Sequence, residues 1–274
     1  MGVVNVTPDS FSDGGQWADT ASAVARGGRL LADGADIIDV GGESTRPGAT
    51  RPLAAEELGR VVPVIEQLAA GGAVVSVDTM RAEVARAALA AGARIVNDVS
   101  GGLADPAILG VVADSDATYV AMHWRAHGDR MQQHAVYDGP GGVVAAVRDE
   151  LAARVEAAVA AGIGRERLVL DPGLGFAKTA SHNWALLRHL DALDELGLPL
   201  LVGASRKSFL GTLLAGPDGT PRAVDDREHA GVALSMLLAQ HGVWGIRVHD
   251  VRATADALAV WEAMAEPDRP EEQG

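Results

Sequence analysis

Residues 74–99 read Val74-Val75-Ser76-Val77-Asp78-Thr79-Met80-Arg81-Ala82-Glu83-Val84-Ala85-Arg86-Ala87-Ala88-Leu89-Ala90-Ala91-Gly92-Ala93-Arg94-Ile95-Val96-Asn97-Asp98-Val99. A short β-branched run ends in a carboxylate. A segment with Val84, Ala88 and Leu89 at helical spacing follows, and Gly92 stands where a helix commonly turns off through positive φ. A second β-branched run, 95–99, then carries Asn97 and Asp98. A strand, a crossover helix and a second strand call for parallel pairing. The unit recurs outward in both directions, with strand runs at 3–6, 37–40, 119–122, 168–170, 200–202 and 246–248. Leu151, Val155, Ala158 and Val159 repeat the helical spacing, and Gly34, Gly162 and Gly197 repeat the stop. Eight strands in 274 residues favour an α/β fold that closes as a single-domain (β/α)8 TIM barrel over residues 1–265, ahead of an open doubly wound sheet. Residues 266–274, with two Pro and four acidic residues, read as a disordered tail.

Composition narrows the classes of function. The chain is 48% apolar and 22% charged, which is ordinary for a globular protein. Its net charge of −14 argues against a general nucleic-acid or anionic-membrane surface, so any anion must be held locally. No Cys is present, which removes disulfides, thiolate metal sites and thiol nucleophiles and suits a cytoplasmic protein. No apolar run approaches the roughly 18 residues of a membrane helix. The N-terminus turns polar at Asn5 without a basic signal-peptide start, and Val6 breaks the myristoylation pattern.

Rare residues are informative about position. There are 21 Arg but only two Lys, Lys178 and Lys207, and only three Asn, at 5, 97 and 183. The survivors are expected where a compact ammonium or a neutral amide is required. In a (β/α)8 barrel the active site lies at the C-terminal strand ends, and the polar residues fall there. They are Asn5 and the loop 7–15, Asp39 and the loop 41–48, Asp78, Asn97 and Asp98, Met122 and His123, Asp171, the segment 203–208, and Arg247 with His249 on one face.

The usual nucleophile patterns are missing. Gly203-Ala204-Ser205 begins like a nucleophile elbow, but Lys207 occupies the second Gly position. No P-loop appears, and Gly173-Leu174-Gly175 alone is a weak dinucleotide signal. His123 and His127 have metal-like spacing, yet Trp124 replaces the zincin Glu. What remains is carboxylates and amides beside Lys and Arg. Asp78, Asn97 and Asp171 can pair with the edge of a planar amidine-like heterocycle, and Lys207 can donate to a carbonyl. Arg247 can lie flat against a ring or reach an anion, with His249 beside it. Asn5 offers a neutral oxygen to a Mg²⁺ that keeps most of its waters. The residues therefore describe a site for a heterocycle joined to a phosphate group.

The stretches Met1-Gly2-Val3-Val4-Asn5-Val6-Thr7-Pro8-Asp9-Ser10-Phe11-Ser12-Asp13-Gly14-Gly15 and Ile38-Asp39-Val40-Gly41-Gly42-Glu43-Ser44-Thr45-Arg46-Pro47-Gly48 resemble the signatures of the dihydropteroate synthase family of pterin-binding barrels. Val77-Asp78-Thr79, Val96-Asn97-Asp98, Asp171-Pro172-Gly173, Gly203-Ala204-Ser205-Arg206-Lys207 and Arg247-Val248-His249 extend the resemblance, which spans residues 1 to about 264. It implies condensation of hydroxymethyl-dihydropterin pyrophosphate with para-aminobenzoate to dihydropteroate, with Mg²⁺, in a homodimer. It also implies that sulfonamides compete with aminobenzoate. By the same resemblance Asp78, Asn97, Met122, Asp171, Phe176, Gly203, Lys207 and Arg247 line the pterin pocket. Asn5, Thr45, Arg46, Arg247 and His249 match the pyrophosphate positions, with Asn5 on the metal. Phe11, Arg46, Lys207 and Ser208 match the aminobenzoate site, and Asp78, Lys207, Arg247, Asp13 and Phe11 the catalytic group. The loops at 9–15 and 43–48 are expected to order over pyrophosphate.

The implied route is dissociative. Pyrophosphate leaves as Mg²⁺, Arg247 and His249 neutralise its growing charge, Asp78 stabilises the cationic methylene left behind, and the neutral aromatic amine attacks. A folate-dependent methyltransferase on the same barrel could keep Asp78, Asn97 and Asp171 but has no use for the 7–15 loop or for Arg247 and His249 on a pyrophosphate. A catalytically silent paralogue should have lost part of the set Asp13, Arg46, Lys207 and Ser208, and here all remain. Two features depart from the family: the chain opens directly on strand one, which leaves the barrel's bottom less well covered, and residues 124–134 lack the usual Gly/Pro pattern and receive no role. His127, His134, His182 and Trp184 read as loop or helix-cap residues. Lys178, in the loop after strand six, is expected to accept Arg more readily than Lys207.

Overall fold

The computed structural model describes residues 1–7, 15–43, 52–127 and 130–265, with no side chains for 15–19. Phe11, Asp13, Thr45, Arg46 and the tail 266–274 lie outside the described residues, as do most of the two loops at 9–15 and 43–48. Six strands pair in parallel in chain order: β1 Gly2–Asn5, β2 Ile37–Gly41, β3 Val74–Asp78, β4 Ile95–Asp98, β5 Thr118–Met122 and β6 Leu168–Asp171. Two further strands, β7 Leu201–Val202 and β8 Gly245–Ile246, form a separate parallel pair. Single bridges, Leu170 to Leu200 and Gly2 to Val248, join that pair to β6 and β1. The sheet therefore closes on itself as a barrel, and the open doubly wound alternative is set aside. The two short strands are the runs 200–202 and 246–248 reduced to a two-residue ladder, because Leu200 and Val248 make only those bridges.

The helices that return the chain are α1 Gly15–Ala32, α2 Ala54–Ala70, α3 Ala82–Ala90, α4 Ala107–Ala113, α5 Gly142–Ala160, α6 Ala180–Arg188, α7 Asp191–Asp194, α8 Ser208–Leu213, α9 Glu228–His241 and α10 Val251–Ala265. Gly34, Gly92, Gly162 and Gly197 all have positive φ, as their places after helical runs require.

Strand alternation sorts the core into two regions. Outward-facing Ile38, Val40, Val75, Val77, Val96 and Leu170 are buried beneath helix residues such as Val61, Ile65, Ala88, Val147 and Leu151. Each such aliphatic side chain contributes about 1.5–3 kcal/mol by leaving water. Inside the barrel, Ile95, Val120, Val169 and Leu201 form an apolar plug, against which Met1 and Ile37 pack. The Met1 ammonium donates to the Ile246 carbonyl at 2.9 Å, so Met1 packs across part of the barrel's bottom. Two residues further along these strands come Asp39, Asn97, Met122, Asp171 and Gly203. The period of two that makes Ile37, Ile95, Val120, Val169 and Leu201 the floor thus makes these five residues the next layer up.

Candidate active site

The fully buried carboxylate of Asp39 is the hub of one wall. Arg247 Nε donates to Asp39 Oδ2 at 2.7 Å, and Asn97 Nδ2 donates to the same oxygen at 3.1 Å. Arg247 Nη2 donates to Asp78 Oδ2 at 2.9 Å, so the guanidinium bridges β2 and β3 from its place after β8. Burial pushes the Asp78 carboxyl up to about 7, with Arg247 opposing the rise and Asp39 adding to it. Burial also works against the charge on Arg247, but Asp39 and Asp78 outweigh it and hold the guanidinium protonated. From sequence, Asp39 is only a polar strand end. Its signal is a carboxylate inside the apolar run Ile37-Ile38-Asp39-Val40. Asp98, the neighbour of Asn97, faces the other way and is consumed by Ser100, the Gly102 N–H and the Tyr119 hydroxyl. It takes no part in the site.

The opposite wall is built on β6 and the start of α8. The Gly173 N–H donates to Asp171 Oδ1 at 2.7 Å, which fixes that carboxylate. Gly173 has φ 65°, and a Cβ there would lie 2.3 Å from the His123 carbonyl oxygen, so only Gly fits. Lys207 Nζ donates to the Leu174 carbonyl and stands 5.2 Å from the centre of the Phe176 ring. Burial pulls the Lys207 ammonium down to about 8, against the pull of Asp171. Burial raises the Asp171 carboxyl, against the pull of Lys207. Phe176 packs on Met80, Val99 and Met122 to give a flat apolar side. At Gly203 a Cβ would meet the Arg247 stem at 3.5 Å, so the missing side chain keeps the floor between these walls clear.

Asn5 closes β1 in register with Gly41 of β2. Near it in the fold, His249 Nδ1 lies 3.0 Å from Ser205 Oγ, the His249 N–H donates to the same oxygen at 3.2 Å, and its carbonyl accepts from Arg26 at 3.0 Å. Because that hydroxyl already accepts from the backbone, we assign its proton to Nδ1 and the imidazole proton to Nε2. Burial first, then Arg247, Arg206, Lys207 and Arg26, push His249 down to about 3. In the free site it is therefore a neutral imidazole. Ser208 begins α8, exposed at the mouth.

One cluster went unread. Lys178 is only 3% exposed, and its ammonium donates to the Gly173 carbonyl at 2.9 Å and the Phe176 carbonyl at 3.1 Å and lies 2.8 Å from His123 Nδ1. His123 Nε2 lies 2.9 Å from Glu150 on α5, which Arg125 also holds. Arg125 further donates to the His134 and Val136 carbonyls and lies 4.0 Å over the Tyr137 ring. The position is enclosed and every N–H meets an acceptor, which argues against the expectation that Arg would be accepted more readily here than at Lys207. Asn183 is buried too, accepting from the Gly175 N–H at 2.8 Å, so both Lys hold the turn after β6 and the third Asn braces it.

The remaining residues are structural. His182 closes a capping box with Thr179, and His127 meets Trp124 edge-on at 4.9 Å. Trp184 packs edge-on against Phe209 at 5.1 Å and is a core residue, not a cap. Among the described residues no three His, Cys, Asp or Glu gather as a metal cage.

Comparison with known proteins points to one family. The family model described as pterin binding enzyme matches residues 1–249. Dihydropteroate synthase of Mycobacterium leprae is 57% identical over 262 residues, covering 95% of this chain and 91% of that protein. The Xanthomonas albilineans dihydropteroate synthase solved with 4-aminobenzoic acid superposes with a TM-score of 0.87 at 48% identity, covering 97% of this chain and 93% of that one. The same enzyme in complex with 7,8-dihydropteroate gives 0.84 at 46%, covering 97% and 94%. With buried carboxylates, an amide and an ammonium at the top of a closed barrel, and similarity over nearly its whole length, the chain belongs to the dihydropteroate synthase family of pterin binding enzymes.

Proposed function

We propose that this site joins hydroxymethyl-dihydropterin pyrophosphate to para-aminobenzoate, giving dihydropteroate and pyrophosphate. The observation that carries the reading is the pairing of two polar walls above one apolar floor, Asp171 with Lys207 on one side and Asp39, Asn97, Asp78 and Arg247 on the other. A pterin presents donors along its amidine edge and an acceptor at its carbonyl. Asp171 and Asn97 suit the first and Lys207 the second. Phe176 and Met122 offer its face an apolar surface, and Arg247 covers the other face.

Arg247 and His249 meet the pyrophosphate, and the surrounding Arg26 and Arg206 make that end electropositive. The carboxyl of Asp78, already anchored to Arg247, faces the methylene as positive charge grows there. Asn5 is the residue that would hold a Mg²⁺, sharing it with pyrophosphate oxygens and water, a donor set that fits an ion reluctant to dehydrate. When bound, the ion supplies neutralisation of the leaving group. Dihydropteroate formation from the two substrates with and without Mg²⁺ tests the reading, and no product under either condition refutes it. A sulfonamide should compete with aminobenzoate in the same assay.

Two coarser features extend the proposal. The faces of α9 and α10, which pack on each other, expose Leu237, Val260 and Met264, and we assign them to a homodimer contact that sedimentation would detect. No helix among the described residues is long and apolar enough to cross a membrane.

A further inference from the structure

We infer that Lys178, backed by His123 and Glu150, is a positioning residue for the pterin end of the substrate: its ammonium ties both ends of the 173–176 turn to β5, and through them sets Asp171 and Phe176. This rests on the assignment of those two residues to the pterin pocket.

Three features carry the inference. The three N–H bonds of the ammonium meet three acceptors, at 2.8, 2.9 and 3.1 Å, so none is left for a ligand. Lys178 therefore acts through other residues and not on substrate. Its two carbonyl partners are also the working points of the turn. Gly173 donates to Asp171 Oδ1, and Phe176 is the apolar wall on which Lys207 rests. Between them the Leu174 carbonyl accepts from Lys207, and Asn183 holds the Gly175 N–H. One buried amine, against whose charge burial works while Asp171 favours it, thus fixes the spacing between the carboxylate and the ammonium that a pterin must bridge. The third partner extends the fix. His123 Nδ1 must be the acceptor, which puts the ring proton on Nε2, where Glu150 accepts it at 2.9 Å. Glu150 is itself gripped by Arg125, so the turn is referenced to α5 as well as to β5. A filler of the core would be apolar. A lone ammonium where two carbonyls and an imidazole converge is kept for direction, and a planar guanidinium cannot meet three acceptors arranged around one point.

The test uses the whole chain. Lys178→Met should fold and weaken pterin pyrophosphate binding by about tenfold or more in calorimetry, while the KM for aminobenzoate moves by less than about twofold. Because the chain has no Cys, Lys178→Cys can be alkylated with 2-bromoethylamine at that position alone while unfolded, then refolded. The restored amine should recover most of the lost affinity. Wild-type affinity in folded Lys178→Met, or a loss that the amine does not restore, overturns the inference. Asp171→Asn runs alongside. If it too keeps full affinity, the pterin-pocket assignment fails, whereas a loss there with none in Lys178→Met sinks the positioning role alone. Should Lys178→Met not fold, Glu150→Ala at the half-exposed end of the chain decides. Weaker pterin binding with an unmoved thermal transition supports the inference, and unchanged binding overturns it.

Discussion

Replacing Arg247 by Met keeps most of the side chain's volume and removes the charge that two buried carboxylates share. Arg247 spans Asp39 at 2.7 Å and Asp78 at 2.9 Å, and Asp39 is wholly enclosed. Breaking one side of a buried pair costs about 3–5 kcal/mol, because the abandoned charge has no water to return to. The loss should depend on pH in a direction that the structure fixes. Asp78 titrates at about 7 in the fold against 3.8 as its ordinary value. A folded pKa above the unfolded one means a stability contribution that is whole below 3.8 and lost as pH rises through the folded value. Arg247 is the main influence holding that value down, so Arg247→Met raises it further. At pH 5 Asp78 is neutral in both proteins and contributes nothing to the difference. At pH 8.5 it is ionised only in the wild type, and because that pH lies about 1.5 units above the wild-type value of about 7, at about 1.4 kcal/mol per unit the cost to the variant reaches at most about 2 kcal/mol. Urea unfolding at pH 5 and pH 8.5 should therefore show the variant more damaged at the higher pH by up to about 2 kcal/mol. Equal damage at both would refute the coupling between Arg247 and Asp78.

Other outcomes follow from the same geometry. Lys207→Arg should lose most turnover with little change in thermal transition: the stem already lies where a Gly175 Cβ would be 3.2 Å away, and the fork has no room above Phe176. Near-wild-type turnover would remove Lys207 from the pocket. His123 is pulled down to about 4 from 6.5, chiefly by burial and then by Lys178. Its contribution is complete above about 6.5 and is lost as pH falls toward 4, so the stability gap between wild type and His123→Gln should narrow over that window, by up to about 3 kcal/mol. A gap that stays constant from pH 7 to 4 would contradict a neutral His123. Aminobenzoate should bind well only after pyrophosphate is present, and equal calorimetric affinity without it would count against ordering of the 9–15 and 43–48 loops by an anion.

The barrel was legible because its signal is periodic. Alternation along 37–41, 95–97 and 168–171 places apolar residues on the floor and polar ones above it, and the polar ends marked Asp78, Asn97, Asp171, Lys207 and Arg247 before any coordinates. Which of them touch was not legible. Arg247 and Asp39 are 208 residues apart, and nothing in either neighbourhood names the other. Strand parity could have separated Asp98 from Asn97, since adjacent residues face opposite sides. Lys178 was hidden differently. A Gly-rich loop reads as solvent-facing, and only a convergence of backbone carbonyls, which a sequence does not display, makes an ammonium necessary there. The two short strands were overread because a three-residue β-branched run does not reveal that it has a neighbour on one side only for part of its length.

The unequal closure of the barrel divides its stability. From β1 to β6 the strands share ladders of three to five residue pairs, while β7 and β8 hold to their outer neighbours by one bridge each. Gly203, Lys207, Arg247 and His249 all belong to that thin sector, and Asn97, Asp78 and Asp171 to the thick one. A substrate held between the two sets acts as a clasp across a hinge line. Amide protons of 200–202 and 246–248 should exchange fastest among the strand backbones of the free protein, and ligand should slow them more than those of β2 or β3.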